Sequence, residues 1–299
     1  MGPRGRALVD KRLYLPKAWI DDPARCDAAG IPQEEQVYRS ETELALAQLQ
    51  QATEHGALTA EWVTGDDAFG KSPSFRDGVA ALKLNYVLEV PSETPVWPVT
   101  VSWETPPPPT GKRKQAAPHP VISERQTVKE RAAALPPEAW QTLKVAEGTQ
   151  GPRVYQFAAE RRRESRDGLP GGETWVVYRR NLDGSQPRYF FSNAAADTPL
   201  ATLAWVAAAR WPIETEFETE KSDVGLDEYE VRTWRGWQHH ITMCLLASAF
   251  LLTLQQEWGE KGAPDHTAAG LPDGARTAAT GPLFRGRVAT LAAGHAASQ

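Results

Sequence analysis

Arg210, Glu214 and Lys221 stand in one run, RWPIETEFETEK, with a carboxylate four residues after the guanidinium and an ammonium seven residues after the carboxylate. At about 100° per residue, Glu214 and Lys221 fall within roughly 20° of each other around a helix. A carboxylate and an ammonium on one side of a helix suit a protein that holds a divalent cation beside a phosphate chain. The same charges also fit an ordinary solvated helix, with Arg210 and Lys221 paired to Glu216, Glu218 or Glu220. Pro212 favours a helix start, and Gly225 followed by Leu226 favours a C-terminal cap. The expected helix is therefore short, carries Glu214 in its first turn, and is anchored by Trp211, Ile213 and Phe217.

A second acidic position lies far upstream, in EWVTGDDAFGKSPSFRDGVAALKLNYVLEV. EWVTGD reads as a strand, with Gly65 and Gly70 bracketing a turn, residues 74–83 as a helix and 85–90 as another strand. That β-α-β order implies parallel pairing through a crossover helix. Alternation puts Trp62, Thr64 and Asp66 on one face of the first strand, with Val63 and Asp67 on the other. Asp67 competes with Asp66 for any catalytic role, but capping of the following helix fits Asp67 more naturally.

The run RW-x-IE-x-x-F-x-x-x-K-x-x-x-GLD-x-YEVR-x-W-x-GW-x-x-HIT resembles the C-terminal signature of bacterial insertion-sequence transposases, the DDE-superfamily endonucleases. Arg210, Glu214 and Lys221 fit the R-x3-E-x6-K part of the Y-x2-R-x3-E-x6-K signature of one branch, with Ala207 at the tyrosine position. The Asp66 segment is similar to the family's strand–Asp–turn–helix–strand unit, and RALVDKRLYLPKAW to a further segment. The resemblance spans most of residues 4–256. It implies an α/β fold with a ribonuclease-H-like core and a β-rich insertion before the last catalytic helix. Asp66 becomes the second metal-binding acid and Glu214 the third, Mg2+ (or Mn2+) the cofactor, and Arg210 and Lys221 contacts to DNA phosphates. DNA, as transposon ends and target, is the implied partner, together with self or a full-length transposase.

The family's first aspartate lies upstream of the segment matched by RALVDKRLYLP, and Asp10 does not occupy its position. The expectation is a truncated transposase whose core lacks its first strands, the alternative being an inactive remnant that at most binds DNA or a full-length subunit. Residues 1–90 are expected to hold the N-terminal part of the core and 91–198 a Pro-rich linker and β-rich insertion. Residues 199–258 are expected to hold the catalytic and final core helices, and 259–299 a disordered tail.

A net charge of −5 gives no global basic field to draw the molecule onto nucleic acid. DNA contacts must then come from local patches, such as Arg161, Arg162, Arg163 and Arg166, or Lys112, Arg113 and Lys114, each of which also fits a solvated face. Cys26 and Cys244 lack metal-ligand spacing and imply no disulfide framework, which suits a cytoplasmic, nucleoid-associated protein. The most apolar run, Ile241 to Leu254, is shorter than the ~20 residues a membrane span needs.

Further elements follow from pattern. Residues 7–15 read as extended up to Pro16, residues 34–55 as a helix, and the Pro-rich 91–120 as an extended surface spacer. A helix near 123–134 precedes TWVVYRR and RYFFSN, antiparallel strands around an Asp183-Gly184 turn. Helices over 200–209 and 227–257 complete the expectation. Trp175 offers a platform for an unpaired base or ordinary packing. His239 and His240 are expected to pack or touch phosphate rather than ligate a hard metal.

Overall fold

The computed structural model describes residues 7–56, 60–106, 116–148, 151–210, 212–262 and 288–290. The first helices in chain order are α1 (Lys17–Ile20), α2 (Pro23–Ala28) and α3 (Glu41–Glu54). Then come β1 (Trp62–Gly65), α4 (Asp67–Gly70), α5 (Pro73–Ala81), β2 (Asn85–Val90), β3 (Pro95–Trp97), β4 (Trp103–Glu104) and β5 (His119–Pro120). Next are β6 (Gln126–Thr127), α6 (Val128–Ala134), β7 (Gln141–Gly148), β8 (Gly151–Arg166), β9 (Leu169–Arg180) and β10 (Arg188–Ser192). The last are α7 (Leu200–Ala208), α8 (Pro212–Val224), α9 (Trp234–Gly262) and β11 (Val288–Thr290). The chain divides into two compact units, one of residues 60–210 with 289–292, the other of the remaining segments.

The unit around residues 60–210 is built on a mixed sheet of order β11-β1-β2-β10-β9-β8-β3-β6, with β7 also paired to β8. β1 and β2 are parallel, as their helical connection requires, and β10 runs antiparallel to β2. Every residue of β1 is buried, as in a strand covered on both faces. On one face Phe69 of α4 and Phe75 of α5 stack at 5.2 Å, and the Arg76 guanidinium lies over Phe191. On the other face α7 packs on β1, β2, β7, β8 and β9, burying Leu203, Ala204 and Val206.

Residues 91–198 are β-rich, and β8 to β10 continue the sheet of β1 and β2. The proline-rich stretch departs from a surface spacer: Val96 and Trp97 are fully buried in β3, and the Trp97 indole donates to Ser165. Pro95 heads the strand, where a proline is tolerated, so the prolines set its limit without excluding it. α6 begins only at Val128, because Thr127 and Glu130 form a capping box.

The arginine-rich strand β8 is neutralised rather than presented as a basic patch. Arg161 and Arg163 reach Glu173 at 3.5 and 3.7 Å, Arg162 reaches Glu160 at 3.0 Å, and Arg166 forks onto Asp77. Glu164 bridges Arg166 and the buried Arg76 at 2.6 and 2.5 Å. The segment holding Lys112, Arg113 and Lys114 lies outside the described residues.

Glu160 accepts from Arg131, Arg162 and the Tyr178 hydroxyl. Burial pushes its carboxyl up, but those three donors outweigh burial and hold it below the ordinary 4.5. A depressed folded-state value means the stabilisation is present above about pH 4.5 and lost as pH falls through the folded value. Glu160→Gln is expected to cost about 2 kcal/mol at pH 7, with the gap to wild type narrowing at pH 3, read by urea unfolding at both pH values.

In the second unit, Leu15, Cys26 and Ile31 form a small core with Leu13, Trp19, Ile20, Ala29 and Trp234 packed on it. Residues 7–16 form no strand, and α3 starts at Glu41 because Ser40 and Glu43 make a capping box. α8 stops at Gly225, whose φ of +66° suits glycine, and the buried Glu220 accepts from Ser248 of α9. α9 begins at Trp234 rather than near 227, since the Thr233 hydroxyl caps Gly236 N–H. Among the described residues no helix is long and apolar enough to cross a membrane. The tail expectation falls mostly outside the described residues, although Val288–Thr290 form a strand beside β1.

Candidate active site

Asp66 follows the last residue of β1, at the carboxyl end of a parallel strand, where ligands collect in open α/β sheets. One of its oxygens, Oδ1, accepts from the Ala68 N–H at 3.0 Å and caps α4. The cap is thus made by Asp66, not Asp67. Asp66 keeps an extended backbone (φ −80°, ψ −172°), so its carboxylate doubles back onto the helix start, while Asp67 is already the first helical residue and is exposed. Oδ2 of Asp66 faces the Arg210 guanidinium at 3.8 Å.

The arrangement depends on a close approach. Gly70 lies so near β2 that a Cβ there would sit 1.8 Å from the Glu89 carbonyl oxygen. This contact presses α4 onto the sheet and sets the direction of the chain leaving Asp66. Across the same end of the sheet, β2 carries Glu89, β10 Arg188 and β9 Arg179. Arg188 stands directly opposite Arg179 and bonds Glu89 at 2.8 Å. Sequence reading missed these two arginines, although both flank the Asp183-Gly184 hairpin turn that sets their register.

Glu214 lies in the first turn of α8 as expected, its side chain outside the described residues. Lys221, in the last turn, pairs with Asp227 at 3.9 Å rather than with Glu216, Glu218 or Glu220. His240 Nε2 lies 3.0 Å from the Gly225 carbonyl and its ring 5.4 Å from Tyr229, contacts that fit the packing role. Trp175 donates to the Ala195 carbonyl and stacks against Arg161, so it is anchored in the fold. Among the described residues no group of three or more His, Cys, Asp or Glu side chains could hold a metal ion. The donor that Asp66 offers is a hard carboxylate oxygen, the type that magnesium and manganese take.

A mixed α/β sheet with a carboxylate at the end of its parallel pair is consistent with the ribonuclease-H-like nucleases. Residues 3–152 match the DDE superfamily endonuclease family, which is half of the chain, and the chain belongs to that family. Membership makes DNA the substrate class and nuclease or transposase chemistry the activity, in a family that works with divalent metals. The match includes Asp66 and leaves Arg210, Glu214 and Lys221 outside it. No curated protein matches the chain.

Proposed function

We propose that the protein is an insertion-sequence transposase of the branch with the Y-x2-R-x3-E-x6-K signature, cutting and rejoining DNA. Asp66 and Glu214 are its metal-binding carboxylates, and Arg210 and Lys221 hold phosphates of the bound strand. Arginine grips two phosphate oxygens as a fork, and lysine acts as a point charge. Divalent metal, Mg2+ or Mn2+, when bound, supplies activation of the attacking oxygen and stabilisation of the leaving one. The DNA partners are transposon ends and target, brought together by further copies of the enzyme. The β-rich residues 91–198 are an insertion between the acids of the core.

The observation that carries this reading is the 3.8 Å approach of Arg210 to Asp66. The arginine opens the C-terminal signature and the aspartate closes the strand of the upstream motif. The first residue of the one signature and the aspartate of the other thus share a compact unit, while Glu214 and Lys221 belong to the second. Arg210 offsets the Asp66 charge at 3.8 Å, and its guanidinium could also hold a phosphate of the bound strand.

The test is a cleavage assay on DNA carrying transposon ends, with Mg2+ or Mn2+ and with EDTA as control. Metal-dependent nicking followed by joined products is expected. Nicking without joining reduces the assignment to a nuclease, and no cleavage with either metal contradicts it.

A further inference from the structure

Arg179 lies at the same end of the sheet as Asp66, three strands along, and no carboxylate partner is found for it among the described residues. It sits on β9 with Phe157 of β8 on one side and Arg188 of β10 on the other. Its guanidinium lies 4.6 Å from the centre of the Tyr155 ring, and its Nε is buried without a hydrogen bond among the described residues. Arg188 opposite it is taken up by Glu89. Burial, followed by the neighbouring positive charges of Arg188 and Arg210, pulls its pKa down; Tyr155 and Glu89 oppose them.

Like charges directly opposite each other across a strand pair are destabilising, and the buried, unbonded Nε of the half-buried Arg179 adds to that cost. A fold that retains such a group has left a place for an anion. The aromatic face of Tyr155 holds the guanidinium plane and leaves its fork for a ligand. On the Asp66 side, across β10, the anion would meet Arg188, and on the far side the Phe157 position of β8.

We infer that Arg179, held by Tyr155 and flanked by Arg188, is a phosphodiester-binding subsite that carries the DNA backbone across β9 and β10 toward Asp66. The inference rests on the DNA-processing reading of that site and extends it to residues outside the R-x3-E-x6-K signature. A bound phosphate there holds the strand at the β9 side of the sheet end where Asp66 acts. Arg179 touches substrate away from the reacting atoms and is therefore a binding residue, with no part in proton or metal chemistry.

The experiment measures binding of full-length wild type, Arg179→Gln and Asp66→Asn to a fluorescent DNA end across a KCl series, beside thermal unfolding and cleavage. Arg179→Gln is expected to weaken binding several-fold and to lower the slope of log K against log salt by about 1. Its Tm is expected to stay level or rise, because one of two like charges facing each other across the strand pair is removed. If Arg179→Gln binds with wild-type affinity and slope, or melts well below wild type, the subsite is overturned. If that occurs while Asp66→Asn abolishes cleavage, the functional reading stands alone. If Arg179→Gln shows the lowered slope while Asp66→Asn cleaves normally, the subsite stands and the catalytic assignment falls. Absence of DNA binding by wild type at about 50 mM salt, where phosphate contacts bind far more tightly than at about 200 mM, overturns both.

Discussion

Asp66→Asn is expected to abolish DNA cleavage, lowering the rate on the order of a thousandfold or more, while leaving the protein folded. Asparagine is as good a helix cap as aspartate, so the Ala68 N–H keeps its acceptor and α4 keeps its start. What disappears is the negative charge facing Arg210 and available to a metal. Asp67→Asn is the matched control. Asp67 is exposed and already helical, so its change is expected to alter the rate by no more than about twofold, with a few tenths of a kcal/mol lost at the helix start. Gel-resolved cleavage with Mn2+ separates the two. A dead Asp67→Asn beside an active Asp66→Asn would reverse their roles.

The largest stability effect is expected at Gly70. A Cβ there meets the Glu89 carbonyl oxygen at 1.8 Å and the Glu89 carbonyl carbon at 2.8 Å, both backbone atoms that cannot swing aside. Relief requires α4 to lift off β2, opening the approach of the Phe69 ring to Gly65. Gly70→Ala should cost about 3 kcal/mol, the upper part of the usual range for overpacking. At roughly 2–4 °C per kcal/mol for a unit of this size, the Tm falls by about 6–12 °C. Gly172→Ala is the control, since its Cβ would meet nothing closer than a Glu164 oxygen at 4.0 Å. Equal melting temperatures for the two variants would contradict the close approach of α4. Because Gly70 lies four residues after Asp66, residual folded Gly70→Ala should also cleave slowly, a loss that Gly172→Ala does not share.

Local chemistry made much of the fold legible. The parallel pair around Asp66 follows from two apolar strands joined by a helix, and the residues of β2 are those expected. The limits of α8 follow from Pro212 and Gly225, whose conformational preferences do not depend on tertiary context. Less legible were places where packing overrode local preference. Val96 and Trp97 form a buried strand within a proline-rich stretch because a neighbouring strand, β8, is long enough to pair with them. The arginines of β8 resemble a nucleic-acid patch in sequence, but Glu160 and Glu164 pair with them along the strand, and Glu173 and Asp77 reach them only through the hairpin and α5.

The site divides in the same way. As candidates, Asp66, Arg210, Glu214 and Lys221 follow from motif resemblance, whereas the meeting of Asp66 and Arg210 is a tertiary fact that no spacing encodes. The helix cap was assigned to the wrong member of the Asp66-Asp67 pair. Strand alternation fixes which way each side chain leaves the backbone, but it does not reveal that an extended Asp66 can reach back to the Ala68 N–H. Arg179 escaped notice because its environment comes from three strands, Tyr155 from one and Arg188 from another.

The central claim, that Asp66 and Glu214 serve one metal site, is tested most directly by titrating Mn2+ into wild type, Asp66→Asn and Glu214→Gln by electron paramagnetic resonance. Loss of the same bound Mn2+ in each single variant, with no further loss in the double variant, is the predicted result. Wild-type Mn2+ binding that survives either substitution would contradict it.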